Sequence, residues 1–162
     1  MRRAMKITHP ATVRYGSLVV PLAAQRQVDA ALAYLARDPV ERRLIERVER
    51  SPVRHRIEIV HHHDDAYRPW SHTIRWDPHS AMRTTGGGRQ SPALGLAHEL
   101  DHAAAHARDI VRLQSRGDPA YDDAEERRVI TGTERHAART LHESERRDHR
   151  GTCYRVADPT QV

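Results

Sequence analysis

The stretch Ala97–Ala103, "AHELDHA", places two histidines four residues apart with a glutamate directly after the first. On a helix of 3.6 residues per turn, His98 and His102 project from one face toward one point. Neutral imidazole nitrogens bind zinc at ~2.0–2.1 Å. Glu99 then sits beside the ion but not on it, where a carboxylate can take a proton from an activated water. The chain has 13 histidines, so five residues alone carry limited weight. Their surroundings add to it, because Ala97, Leu100, Ala103 and Ala104 bracket the polar trio with small or apolar side chains.

A catalytic zinc ion needs three protein ligands and one open position. Arg108 occupies the place where an extended motif would carry a third histidine, and His106 lies a full turn too far along the helix. Asp109 is a weak candidate. The stretch "DDAEERRVITGTERHAARTL" supplies better ones. On a helix, Glu126 shares a face with Val129, Ile130 and Thr133, and a carboxylate on an apolar face needs a partner. Glu134, on the face of Ile130 and Leu141, is its rival. Glu125 is placed to hold a ligand histidine from behind.

The elements that must carry these residues follow from periodicity. Ser17–Val20 reads as a short strand, and apolar spacing from Pro21 to Ser51 gives two helices broken near Asp38, with Pro39 opening the second. "VRHRIEIV" and "SHTIRWDP" alternate as strands and read as an antiparallel hairpin or meander. A helix is expected over 92–114 and another over 123–143. The fold class is α+β: a small antiparallel sheet packs on the helix bearing the motif and on a C-terminal helix, with an edge strand at about 72–76. Residues 1–20 form a loosely ordered basic arm, and 21–162 a single domain.

Composition narrows the function classes. Only 38% of residues are hydrophobic and there is no Phe, so burial rests on Leu, Ile, Val, Ala, two Trp and five Tyr. Trp70 and Trp76 are expected in the core. A single cysteine, Cys153, excludes an internal disulfide. No run approaches the ~20 apolar residues of a membrane span, and the first twenty residues lack the apolar core of a secretory signal. The net charge of +5 leaves a second class open: a basic module binding nucleic acid or an acidic protein, with the metal motif fortuitous. A metal-stabilised structural domain is a third. The arginines are interspersed with Asp and Glu, which disfavours a nucleic-acid groove. "HHHDD", His61–Asp65, reads as a solvated histidine cluster, because neighbours on a strand point to opposite sides.

"SPALGLAHELDHA", "EERRVITG" and "TERHAARTLHESERRDH", in this order, together resemble the NleD-like zinc metalloproteases among bacterial type III effectors. "IRWDP" resembles that family's strand ahead of the active-site helix. The likeness spans Thr73 to Tyr154, about half of the chain. "EERRVITG" is also similar to the segment of the clostridial neurotoxin light chains that supplies their third zinc ligand. The resemblance implies a zincin-like fold and a Zn2+ cofactor held by His98, His102 and Glu126. Glu99 is then the general base, with Glu125 behind a ligand histidine. It implies an oxyanion stabiliser among Arg146, His149 and Tyr154, since the tyrosine of the neurotoxin pattern is out of place here. It also implies a monomeric endopeptidase, delivered into a host cell by a type III system, whose partner is a protein substrate such as a host kinase. Neither a membrane nor a nucleic acid is expected as a partner.

Overall fold

The stretch from Val53 folds as expected into a strand, His55–Ile59 (β3), whose side chains alternate between core and solvent. In the computed structural model, which describes residues 10–162, β3 lies at the centre of a five-stranded sheet. Thr12–Tyr15 (β1) and Leu18–Pro21 (β2) form an antiparallel hairpin at one side. The basic arm expected over 1–20 is therefore strand from Thr12 onward, and residues 1–9 lie outside the described residues. Gln25–Leu35 (α1) and Pro39–Glu49 (α2) break where predicted. Asp38 caps α2 by accepting from the Val40 and Glu41 amides, with Pro39 in its first turn.

The antiparallel pairing expected of the next two strands is overturned. Thr73–Trp76 (β5) runs parallel to β3, with Ile57 opposite Ile74. The polar segment between them is long enough to reach past β5, form the three-residue strand Ala66–Arg68 (β4), and return. The sheet order is β1-β2-β3-β5-β4, so β4 is the edge and 72–76 is an inner strand. Three residues are too few to display an alternation, which is why β4 left no signature. The sheet is mixed, and the purely antiparallel one is smaller: Ser80–Thr84 (β6) between Arg89–Gln90 (β7) and Gly151–Arg155 (β10).

Pro92–Ala104 (α3), the helix of the motif, is buried along nearly its whole length. Leu94, Leu96, Ala97, Leu100 and Ala103 share one core with Leu18, Val20, Ile57, Ile74 and Trp76 of the sheet, and with Val28, Leu35, Leu44 and Val48 of α1 and α2. Its start is over-determined. Ser91 caps it by accepting from the Leu94 amide, and the Trp76 indole donates to the Pro92 carbonyl at 2.8 Å. The 92–114 helix is in fact two: Ala105 is extended, and His106 becomes the cap of Ala107–Gln114 (α4). Trp76 is fully buried, whereas Trp70 is 79% exposed, against expectation, because it sits in the turn between β4 and β5.

After the short hairpin of Gly117–Asp118 (β8) and Asp122–Asp123 (β9) comes Ala124–Val129 (α5), capped by Asp123. It continues through a wide π turn, Ile130–Glu134, into Arg135–Thr140 (α6). Gly132 lies outside helical geometry at the bulge (φ −99°, ψ −110°).

Candidate metal centre

The spacing argument for α3 holds in three dimensions. His98 Nε2 and His102 Nε2 lie 3.0 Å apart and face the same point. α5 crosses α3 so that Glu126 reaches that point from the other side, 2.9 Å from His98 Nε2 and 3.3 Å from His102 Nε2. Donors ~2.0–2.2 Å from a tetrahedral ion stand roughly 3.3 Å from one another. The three donor atoms are thus spaced to surround one cation.

What stands behind each donor fits the same reading. His98 donates through Nδ1 to Glu134 at 2.8 Å, and His102 donates through Nδ1 to Glu125 at 3.0 Å. A carboxylate on the far nitrogen fixes the tautomer and turns the Nε2 lone pair toward the ion. Both carboxylates are anchored in turn. Arg146 binds Glu134 with two nitrogens, at 2.8 and 2.5 Å, and Gln90 donates to it at 3.0 Å. Arg128 bridges Glu125 and Asp101, and Thr133 donates to Asp101. Glu126 and Glu134 differ in position: Glu126 meets the Nε2 atoms, and Glu134 meets Nδ1 of His98.

The electrostatics of the bare cluster show the same demand for positive charge. Burial opposes protonation of His98 and His102, yet their carboxylate partners push them up to about 9 and about 10. Burial also disfavours the charged form of Glu126 and Glu134. The two imidazoles outweigh it at Glu126, and Arg146 with His98 outweighs it at Glu134, so both carboxyls stay well below the usual range. Glu125 is held at about 2 against burial by Arg128 and His102. Three ionised carboxylates, Glu126 at the two Nε2 atoms and Glu125 and Glu134 behind them, favour positive charge at this cluster.

Glu99 is buried beside the donors without being one of them, and desolvation raises its carboxyl against the pull of both histidines. It lines a cleft of about 280 Å³ that opens over His98 and is bounded by Asp65, Leu94, Gly95, Arg146 and His149. Of the residues proposed to steady an oxyanion, His149 comes closest: its Nε2 is 3.3 Å from Glu126. His98, Glu126 and His149 form a set whose ligand atoms all lie within 4.8 Å of one another. That set shares His98 and Glu126 with the His98–His102–Glu126 set, His149 meeting Glu126 Oε2 and His102 meeting Oε1. Arg146 is committed to Glu134 but still borders the cleft. Tyr154 is not brought there. On β10, Gly151 and Cys153 face the cleft, whereas Tyr154 lies under the Arg89 guanidinium with its hydroxyl buried and, among the described residues, unpartnered.

Sequence reasoning missed Asp65 and Asp122. Asp65 accepts from the Asp77 amide at 2.7 Å, and its carboxyl is pushed up to about 8 by burial and by Glu99. It belongs to the "HHHDD" run, whose histidines drew attention away from it. Of these, only His63 borders the cleft, hydrogen-bonded to Ser80. Asp122 holds His149 through Nδ1 at 2.5 Å, a pairing across 27 residues that no local pattern announces. Among the described residues, no helix is long and apolar enough to cross a membrane. No family model matches the chain, and neither a curated protein nor a solved structure matches it.

Proposed function

We propose that the protein is a zinc-dependent endopeptidase with a zincin-like catalytic domain. The observation that carries this reading is the convergence of His98, His102 and Glu126 on one point with Glu99 buried beside it. Bound there, zinc would acidify a water and polarise a carbonyl. Glu99 accepts the water's proton at its carboxylate and returns it to the leaving amine. Its raised affinity for protons suits both halves of that task. His149, oriented by Asp122, borders the cleft and could steady negative charge developing on a substrate carbonyl, and Arg146 keeps Glu134 and His98 in place.

The edge strand β4 runs alongside α3 with one side unpaired, which suits an extended peptide added as a further strand. Many of the arginines are spent within the molecule. Arg75, Arg127, Arg128, Arg135, Arg139 and Arg146 all have carboxylate partners, which weakens the alternative of a nucleic-acid or acidic-protein module. The resemblance to type III effector proteases extends the reading to a host signalling protein as substrate and to export into a host cell.

The test is metal content beside hydrolysis of a peptide library. Wild type holds one zinc per chain and cleaves. Glu99→Gln keeps zinc and loses at least about 100-fold in kcat, the range of a lost general base. Glu126→Ala loses the metal, and Glu134→Ala keeps it with affinity about 10–100-fold weaker. Cleavage undiminished in Glu99→Gln would refute the mechanism.

A further inference from the structure

Three imidazoles, not two, share one pattern around Glu126. His98 donates through Nδ1 to Glu134, His102 through Nδ1 to Glu125, and His149 through Nδ1 to Asp122. In each case Nε2 faces Glu126: His98 and His149 meet its Oε2 at 2.9 and 3.3 Å, and His102 meets its Oε1 at 3.3 Å. A carboxylate on Nδ1 is what leaves a histidine's other nitrogen free, with its lone pair outward, for a metal. The His149 ring also lies nearly parallel to that of His98, 16° between planes and 6.3 Å between centroids, so both approach from the cleft side.

The third histidine is built differently from the other two. His98 and His102 stand on α3, their side chains 7% and 5% exposed, and their carboxylates are clamped by Arg146 and Arg128. His149 belongs to the segment between α6 and β10 and is 32% exposed. Its partner Asp122 is 70% exposed, has no arginine on it among the described residues, and sits at φ +69°, a conformation uncommon for a non-glycine residue.

We propose that His149 is a fourth, displaceable protein ligand. In the resting protein its Nε2 closes the coordination shell begun by His98, His102 and Glu126, and substrate enters only once His149 has left. The inference rests on the metalloprotease reading and adds regulation to it: the resting site is latent, and the peptide must compete with an internal imidazole. The His149 side chain can turn away at small cost because its hydrogen bond to Asp122 is solvent-exposed, while its amide stays bound to the Ala120 carbonyl. Repacking of α3 is not needed.

The experiment measures the metal itself. Wild type, His149→Ala, His149→Gln and Asp122→Asn are loaded with Co2+ for visible absorption, and zinc affinity is measured by competition with a chromogenic chelator. Far-UV circular dichroism confirms that each is folded. The proposal expects an intense four-coordinate Co2+ spectrum in wild type. Both His149 variants should weaken the spectrum and lower zinc affinity about 10–100-fold, with Asp122→Asn in between, and free imidazole should restore the wild-type spectrum of His149→Ala. Unchanged affinity and spectrum in the His149 variants would overturn the fourth ligand while leaving the protease reading intact. Wild type that binds neither metal would overturn both. A histidine that only steadied the oxyanion would alter turnover and leave the resting metal untouched.

Discussion

Glu99 and Glu126 are both buried carboxyls at one centre, yet their surroundings drive their proton affinities apart. Glu126 meets two imidazoles and stays ionised, whereas burial, with Glu126 beside it, raises Glu99. On the proposed reading, that separation divides ligand from base. His98, Glu99 and His102 were legible because a helix repeats every 3.6 residues, and Glu126 because a charge on an apolar face must be answered. The arginine and carboxylate anchors behind them were legible only in part, since they depend on how α5 crosses α3. Glu41 poses a different problem. It is fully buried, neither carboxyl oxygen has a partner among the described residues, and burial, with Asp101, Asp38 and Glu134 nearby, pushes it up to about 8. An unfolded glutamate ionises near 4.5, so the folded chain binds the extra proton between about 4.5 and 8. Stability contributed by the protonated form is complete below that window and is lost as pH rises through it. Glu41→Gln removes the ionisation, and chemical denaturation at pH 5 and pH 8.5 should give a smaller stability loss across the interval than wild type. An unchanged pH slope would mean that Glu41 is not the group responsible.

At the scale of elements, the strong periodicities were read correctly: α1, α2, β3, β5 and the C-terminal helical run. The errors fell where tertiary contacts decide. Ala105 and His106 have no sequence feature that must end a helix, yet α3 stops there so that His106 can cap α4. The single helix expected over 123–143 is instead kinked at Gly132, between the two glutamates that meet His98. The β1–β2 hairpin carries a sharper constraint. Gly16 has φ +58°, and a Cβ there would run into the Glu49 carbonyl at the end of α2. The neighbouring Ser17 amide donates to that same carbonyl at 2.7 Å, so the backbone has little room to yield. Gly16→Ala should therefore destabilise by about 2 kcal/mol or more, a left-handed penalty of roughly 1–2 kcal/mol plus the collision. Urea unfolding measures it, and a loss below about 0.5 kcal/mol would show that the turn relaxes freely.

For the molecule as a whole, the centre is also part of the core. His98, Glu99, His102, Glu125, Glu134 and Arg146 are each under 10% exposed, and α3 joins them to the sheet through Leu94, Leu96 and Leu100. A cation that binds only the folded chain stabilises it by about 2.7 kcal/mol at a hundredfold excess over Kd. Stripping the protein with a chelator should lower Tm by about 5–10 °C, restored by zinc, whereas a chelator-insensitive melt would sever the centre from the fold. The parallel pairing of β2, β3 and β5 was out of reach of sequence reading, because each strand's alternation says which face is buried and nothing about its neighbour. The single cysteine has a consequence of its own. Cys153 is exposed on the wall of the cleft, so a maleimide dye attaches at one place per chain, a few residues along β10 from the His149 loop. On the proposed reading, such a label turns the protein into its own optical sensor: emission should shift when a peptide fills the cleft, and attachment should slow when the cleft is already filled.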